Sequence, residues 1–265
     1  MEAGVALDTA LWICGVAEEA ALILLLIRIR VFKTFPAFFL FVCWSFVNDV
    51  LVFALKSIPQ GTFFKLYEAE MVIDSAMMFA VLVELAWSVL RPIRSSLPRG
   101  SWIGIALLIA LAGLLLWPVA GFTLPPYLTS QGANFFRLQQ TFAILRVVIF
   151  LAMAGFSQVL AIGWRSRELQ IATGLGFYSI VSLGISVLHT HQIVGPQYHW
   201  LDDLGVACYL SSLAYWVLSF ATKEVKPKNF SPQMESFLLL VGGTARAERV
   251  ALSDSVVTKT RSKEN

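Results

Sequence analysis

The stretch WIGIALLIALAGLLLWPVAGF, residues 102–122, carries no ionisable side chain over its whole length. The hydrocarbon core of a bilayer is about 30 Å thick, and a helix needs roughly 20 mostly apolar residues to cross it. This stretch is therefore predicted to be a transmembrane helix that faces lipid along much of its surface. Six further segments have a similar length and apolar content, which predicts an all-α, polytopic membrane protein with seven transmembrane helices. We place the seven helices at residues 7–29, 36–56, 66–90, 101–122, 135–163, 168–189 and 200–221.

The composition of the whole chain agrees with this prediction. Hydrophobic residues make up 57% of the 265 residues and charged residues 14%, which lies well outside the range of soluble proteins. The three cysteines are widely spaced and fall inside apolar segments, so we expect small buried hydrophobic side chains and no disulfide or zinc motif. They are Cys14, Cys43 and Cys208.

Lysine and arginine concentrate in every second connection between the predicted helices and after the last helix. These cations are Arg28, Arg30, Lys33, Arg91, Arg94, Arg99, Arg165, Arg167, Lys223, Lys226 and Lys228, against Lys56, Lys65 and Arg137 elsewhere. Short basic loops resist translocation, so we predict an N-terminus outside the cell and a C-terminus in the cytoplasm. Residues 1–222 would form the transmembrane domain, and the polar residues 223–265 a mostly disordered cytoplasmic tail.

Carboxylic acids dominate the ionisable groups inside the predicted helices. The acids are Glu18, Glu19, Asp49, Glu70, Asp74, Asp202 and Asp203, whereas Arg146 is the one cation deep in a helix. Ionisable groups in a membrane are costly and are functional candidates by default. The excess of acid favours a cation, a proton or a small cationic ligand as the partner. Two structural alternatives remain open: acids near helix ends can act as caps, and Asp49 can tie helix two to Arg146 on helix five.

The helical period groups these polar residues on particular faces. On helix five, Gln139, Phe142 and Arg146 share a face, and on helix six Tyr178, Ser182, Ile185 and His189 form one line. Most of these groups point toward one polar region in the outer half of the bundle. The candidate ligand-binding residues are Glu18, Asp49, Glu70, Asp74, Arg146, Tyr178, Asp202 and Tyr209. Of the adjacent acids Glu18 and Glu19, about 100° apart on a helix, one is expected to face the bundle and the other a neighbouring helix or partner.

The stretch HTHQIVGPQYHWLDD, residues 189–203, contains every histidine of the protein. Imidazoles near carboxylates are ligands that Zn²⁺ would choose, which makes His189, His191 and His199 candidate metal ligands. Their spacing matches no established metal motif, so surface histidines in a hydrated loop and a pH sensor remain alternatives. No other cofactor is expected. Retinal is excluded because residues 201–221 contain no lysine for a Schiff base.

Three functions are compatible with these features. The favoured hypothesis is an integral membrane sensor or ligand-binding protein, with an acid-rich cavity in its outer half, that signals through a separate cytoplasmic partner. The alternative is a proton- or cation-coupled transporter, for which Glu84 is the candidate for a polar step toward the cytoplasm, although it can also reach the interface or pair with Arg91. A metal-dependent intramembrane enzyme is the third. The expected partners are the lipid bilayer, a cationic ligand or metal ion and a signalling protein, and no nucleic acid.

Three segments carry a resemblance to a family. FKTFPAFFLFVCW (residues 32–44), RPIRSSLPRG (91–100) and RSRELQIATGLGFYS (165–179) resemble uncharacterised bacterial seven-helix integral membrane proteins and, more distantly, the membrane-sensor regions of some histidine kinases. The resemblance covers residues 10–220 and implies a fold and a bacterial origin without an activity. It leads us to expect a multi-pass protein of the cell membrane, the inner membrane of a bacterium.

Overall fold

Seven long helices make up the transmembrane domain. The computed structural model describes residues 2–54, 60–89, 100–121, 130–156, 166–191 and 199–222. Within these residues all seven α-helices are long and apolar enough to cross a membrane, which confirms the predicted all-α, seven-helix architecture of a multi-pass membrane protein. The helices are α1 (Glu2–Arg28), α2 (Pro36–Ala54), α3 (Gln60–Val89), α4 (Ser101–Ala120), α5 (Ser130–Phe156), α6 (Arg167–His191) and α7 (His199–Ala221).

Three helices begin five or six residues earlier than the apolar pattern predicted. α1 begins at Glu2 rather than at residue 7, α3 at Gln60 rather than at residue 66, and α5 at Ser130 rather than at residue 135. The apolar pattern marks the part of a helix that crosses the membrane and not its polar ends, because residues such as Gln form helices about as readily as apolar ones. The predicted end of α5 at residue 163 and the predicted tail, residues 223–265, lie outside the described residues.

The helices form a ring in which each one packs against the next and α7 closes on α1. Successive helices run in opposite directions: near the start of α1, Trp12 Nε1 donates to the carbonyl oxygen of Asp49 near the end of α2 (3.3 Å). α3 also contacts α5 and α6. It therefore supplies side chains to the interior of the ring as well as to its wall.

Two ends of the bundle can be distinguished by their residues. We call the end where α6 finishes at His191 and α7 begins at His199 the histidine end. The opposite end, with Arg28, Lys33 and Arg167, is called the basic end. The helices alone do not distinguish the outside of a cell from the inside, so the predicted orientation of the termini stays a prediction.

A single apolar cluster fills the half of the bundle next to the basic end. Its fully buried members from five helices include Leu22, Leu26, Phe38, Val42, Val81, Leu85, Ile171, Leu175, Leu213, Trp216 and Phe220. Trp216 Nε1 donates to the carbonyl oxygen of Gln170 (3.2 Å), and its ring lies so close to Gly174 that a Cβ there would meet it. The close approach of α6 and α7 at this level therefore depends on a residue without a side chain.

α4 lies at the periphery, where it packs against α3 and α5. Ile109 is buried against Leu82 and Leu145, whereas Leu107 and Leu114 on the opposite face are 65% and 69% exposed. An exposed apolar face on a membrane helix agrees with the prediction that α4 faces lipid along much of its surface.

Candidate ligand-binding cavities

Two neighbouring cavities lie between the helices on the histidine side of the apolar cluster. The larger cavity has a volume of about 680 Å³ and is formed by α1, α2, α6 and α7. The smaller cavity has a volume of about 230 Å³ and is formed by α2, α3, α5, α6 and α7. Asp49, Tyr178 and Tyr209 line both cavities. These three residues therefore form a shared wall, and three of the predicted ligand-binding residues come together there.

The larger cavity is mostly apolar with a few polar groups. Its polar lining residues besides the shared wall are Trp12, Ser182 and Asp203, and its apolar lining residues are Leu11, Ile185, Leu201, Val206 and Leu210. Tyr178, Ser182 and Ile185 lie on one face of α6, as the helical period predicted. Trp12 is held in place by ring stacking on Phe53 of α2, with 3.9 Å between ring centroids.

The smaller cavity is more polar than the larger one, and the cationic residue Arg146 is part of its lining. Asp74 and Ser75 come from α3, Ser45 from α2, and Gln139 and Arg146 from α5. The predicted common face of Gln139, Phe142 and Arg146 lines this cavity. The guanidinium of Arg146 lies 5.7 Å from the centroid of the Tyr178 ring, a distance at which a cation is attracted to the face of an aromatic ring.

A buried hydrogen-bonded cluster holds Tyr209 in the shared wall. Oε1 of Glu19 accepts hydrogen bonds from the hydroxyl of Tyr209 and from the hydroxyl of Ser45, the latter at 2.8 Å. Glu19 is completely buried, and the Tyr209 ring packs edge to face on Tyr178 with 5.7 Å between centroids. The cluster joins α1, α2 and α7 and fixes the position of Tyr209, which lines both cavities.

The acids form a connected electrostatic group with one cation at its edge. Glu19 interacts with Asp49, and Glu70 interacts with both Asp49 and Asp74. Of the described acids, Asp74 is the one that interacts with Arg146. Asp74 lies on α3, which contacts α5 directly. The suggested tie between Asp49 and Arg146 stays a prediction.

Two predicted site residues do not line either cavity. Glu18 is half-buried on α1, and its carboxyl oxygen accepts a hydrogen bond from the sulfur of Cys14 at 4.0 Å. Its neighbour Glu19 faces the interior instead. Glu70 accepts a hydrogen bond from Asn48 Nδ2 (2.5 Å), which links α3 to α2 beside the smaller cavity.

The histidine stretch is described only in part. The side chains of His189, His191, His199 and Asp202 lie outside the described residues, so their predicted roles as metal or cavity ligands stay predictions. Asp203, the next residue, lines the larger cavity. Within the described part of the chain no group of three or more metal-binding side chains comes together. Cys14, Cys43 and Cys208 are free thiols, and Cys14 is exposed while the other two are partly buried. The expectation of a buried side chain is therefore wrong at Cys14.

Toward the basic end, Glu84 does not continue the polar lining. Its carboxyl oxygens accept hydrogen bonds from the backbone N–H groups of Ala37 (3.0 Å) and Phe38 (2.9 Å) in the first turn of α2. The first N–H groups of a helix have no acceptor within the helix, and the two carboxyl oxygens of Glu84 supply acceptors from α3. Arg91, its suggested partner, lies outside the described residues. Glu84 is thus a helix cap in this structure.

Some cavity residues were not assigned from the sequence. Ser45 lies four residues before Asp49 and shares its helix face, so the spacing could have indicated it. The contact of Trp12 with α2 and the burial of Glu19 depend on how α1 is rotated against its neighbours, and no pattern within α1 indicates that rotation.

Comparison of the chain with protein-family models, with curated proteins and with solved structures gives no match. The resemblance to bacterial seven-helix membrane proteins therefore stays a prediction. The functional interpretation rests on the geometry of the two cavities.

Proposed function

We propose that this protein is an integral membrane sensor that binds a small organic cation in the larger cavity and signals through a separate partner. The observation that carries the proposal is the position of Asp49. Asp49 lines both cavities together with Tyr178 and Tyr209. An acid beside aromatic rings in an otherwise apolar cavity is a typical site for an alkylammonium group.

Size and charge favour an organic cation over a bare metal ion. Pockets for small molecules commonly measure about 300–1,000 Å³, and the larger cavity lies in this range. Asp49 and Asp203 line it, and none of the described residues that line it is a lysine or arginine. Its leucine, isoleucine and valine side chains suit the apolar body of a ligand, whereas hard metal ions prefer a shell of oxygen ligands.

The apolar cluster supports a sensor over a transporter. On α7 the residues that follow Tyr209 toward the basic end include the buried Leu213 and Trp216, and on α6 those that precede Tyr178 include Leu175 and Ile171. A through path for a cation would need polar lining or water at this level, because an unpaired charge in an apolar environment is costly. The buried apolar cluster supports a cavity that is closed toward the basic end.

Isothermal titration calorimetry in lipid nanodiscs tests the proposal. The probe is hexylamine, compared with hexan-1-ol, and the heat of partition into empty nanodiscs is subtracted. We expect hexylamine to bind at least tenfold more tightly than hexan-1-ol. Replacement of Asp49 by Asn should weaken hexylamine binding by about 10- to 100-fold, since a hydrogen bond to a charged group contributes about 1.5–3 kcal/mol.

The matched control is Glu18→Gln, which removes an acid from the same half of the bundle without altering either cavity. This variant should bind hexylamine like the unaltered protein. Equal affinity for hexylamine and hexan-1-ol, or equal loss in both variants, would contradict a cation site at Asp49.

We further propose that the histidine end faces the outside of a bacterial cell and the basic end the cytoplasm. The support is the distribution of lysine and arginine. A green fluorescent protein fused to the C-terminus should be fluorescent in bacteria, and an alkaline phosphatase fused there should be inactive. The reverse pattern would place the larger cavity on the cytoplasmic side.

A further inference from the structure

Arg146 stands out among the residues of the smaller cavity because it is a cation among acids. Its side chain is partly exposed to the cavity, while its Nε is fully enclosed and has no hydrogen-bond acceptor among the described residues. A buried donor without an acceptor costs about 1–3 kcal/mol. A buried polar group without a partner in a native structure calls for an explanation, and the part of the Arg146 side chain that is open to the cavity is the part that a ligand could reach.

The electrostatic neighbour of Arg146 does not remove this deficit. Asp74 attracts the guanidinium, but it leaves Nε without an acceptor. The centroid of the Tyr178 ring lies 5.7 Å from the guanidinium carbon, and Nε has no acceptor there either. A guanidinium presents its donors as a planar fork that matches the two oxygens of a carboxylate.

Charge is therefore separated along the two cavities. Arg146 lies in the smaller cavity, Asp49 on the shared wall and Asp203 in the larger cavity. A ligand that extends through both would place one end beside a cation and the other beside acids. A singly charged anionic end fits better than a phosphate, because Arg146 is the one cation among the described residues that line the smaller cavity, and Asp49 and Asp74 would repel a higher negative charge.

We propose that the ligand is a zwitterion with an ammonium group at one end and a carboxylate at the other. The carboxylate pairs with Arg146 in the smaller cavity, the ammonium group lies near Asp49 or Asp203, and the connecting chain passes Tyr178 and Tyr209. This inference rests on the proposed function, because it adds an anionic subsite to the same cation site. The competing explanation is that Arg146 only neutralises Asp74.

The experiment compares ω-amino acids with alkylamines of the same chain length by calorimetry in nanodiscs. The probes are 4-aminobutanoate, 6-aminohexanoate and 8-aminooctanoate, with butylamine, hexylamine and octylamine as their matched controls. We expect the best ω-amino acid to bind about tenfold more tightly than its matched amine. In Arg146→Gln this advantage should disappear, while binding of the amines should be unchanged or tighter because a repelling cation has been removed.

Arg146→Lys and Asp74→Asn are informative companions. Lysine keeps the charge without the fork and should retain part of the advantage, whereas Asp74→Asn should not reduce it. If every amine binds as tightly as its ω-amino acid, or if the advantage survives in Arg146→Gln, the zwitterion is excluded while the cation site stands. If no probe with an ammonium group binds, both proposals fail. If Arg146→Gln does not fold, the affinities of the ω-amino acids and the amines for the unaltered protein and for Arg146→Lys still test the zwitterion.

Discussion

Replacement of Glu84 by Gln should destabilise this protein through the first turn of α2, where Glu84 lines neither cavity. Glu84 on α3 accepts hydrogen bonds from the backbone N–H groups of Ala37 (3.0 Å) and Phe38 (2.9 Å). α2 begins at Pro36, so these are the second and third residues of the helix, whose N–H groups have no acceptor within it. The side chain therefore caps a helix that is distant in sequence.

The magnitude follows from the two bonds. Glutamine offers one acceptor oxygen, so one N–H loses its partner at a cost of about 1 kcal/mol. The favourable interaction of a negative group with the helix N-terminus, about 0.3–1 kcal/mol, is lost as well. The sum is roughly 1–2 kcal/mol for Glu84→Gln, and Glu84→Ala, which removes both acceptors, should cost about 2–4 kcal/mol.

Thermal unfolding of purified protein in detergent measures both changes. A loss of 1–2 kcal/mol corresponds to a fall in Tm on the order of 2–8 °C, with a larger fall for Glu84→Ala. Glu18→Gln is the matched control, since Glu18 is also an acid within a helix but caps no helix in this structure, and it should shift stability by less than about 0.5 kcal/mol. If Glu84→Gln unfolds at the temperature of the unaltered protein, the capping role is refuted. An equal loss in Glu18→Gln would instead mean that any acid in the bundle has this effect.

Three further predictions use the same preparations. Gly174→Ala should lower stability by about 1–3 kcal/mol because its Cβ would lie 2.9 Å from Cζ2 of Trp216. The control is Gly184→Ala on the same helix, where a Cβ would have no atom within 4 Å, and this variant should be neutral or slightly stabilising. Equal effects of the two variants in thermal unfolding would contradict the close approach of α6 and α7. Arg167→Lys should lower the free energy of unfolding by about 1–2 kcal/mol. The guanidinium donates to two carbonyl oxygens at the end of α7, both at 3.1 Å, and an ammonium group cannot span them equally well. The control is the same substitution at the exposed Arg28. Proteoliposomes should take up 6-aminohexanoate no faster than protein-free vesicles, and protein-dependent uptake would favour the transporter over the sensor.

Much of the architecture is determined by the sequence alone. The apolar stretch quoted at the start forms the membrane-length helix α4, Ser101–Ala120, because its side chains leave no alternative to internal backbone hydrogen bonds in a bilayer. The helical period also predicted which residues share a face: Gln139, Phe142 and Arg146 on α5, and Tyr178, Ser182 and Ile185 on α6, line cavities as expected. These predictions hold because both depend on distances within one helix.

The choice between neighbouring candidates was decided only by the tertiary structure. Glu18 and Glu19 are adjacent in sequence, yet Glu19 is the residue that binds Ser45 and Tyr209. Likewise, the structure places Asp74 on α3 where its charge acts on Arg146 of α5. The period of a helix indicates which residues lie together on a face. Which face meets which neighbour depends on how each helix is rotated and packed in the ring, a property of all seven helices at once.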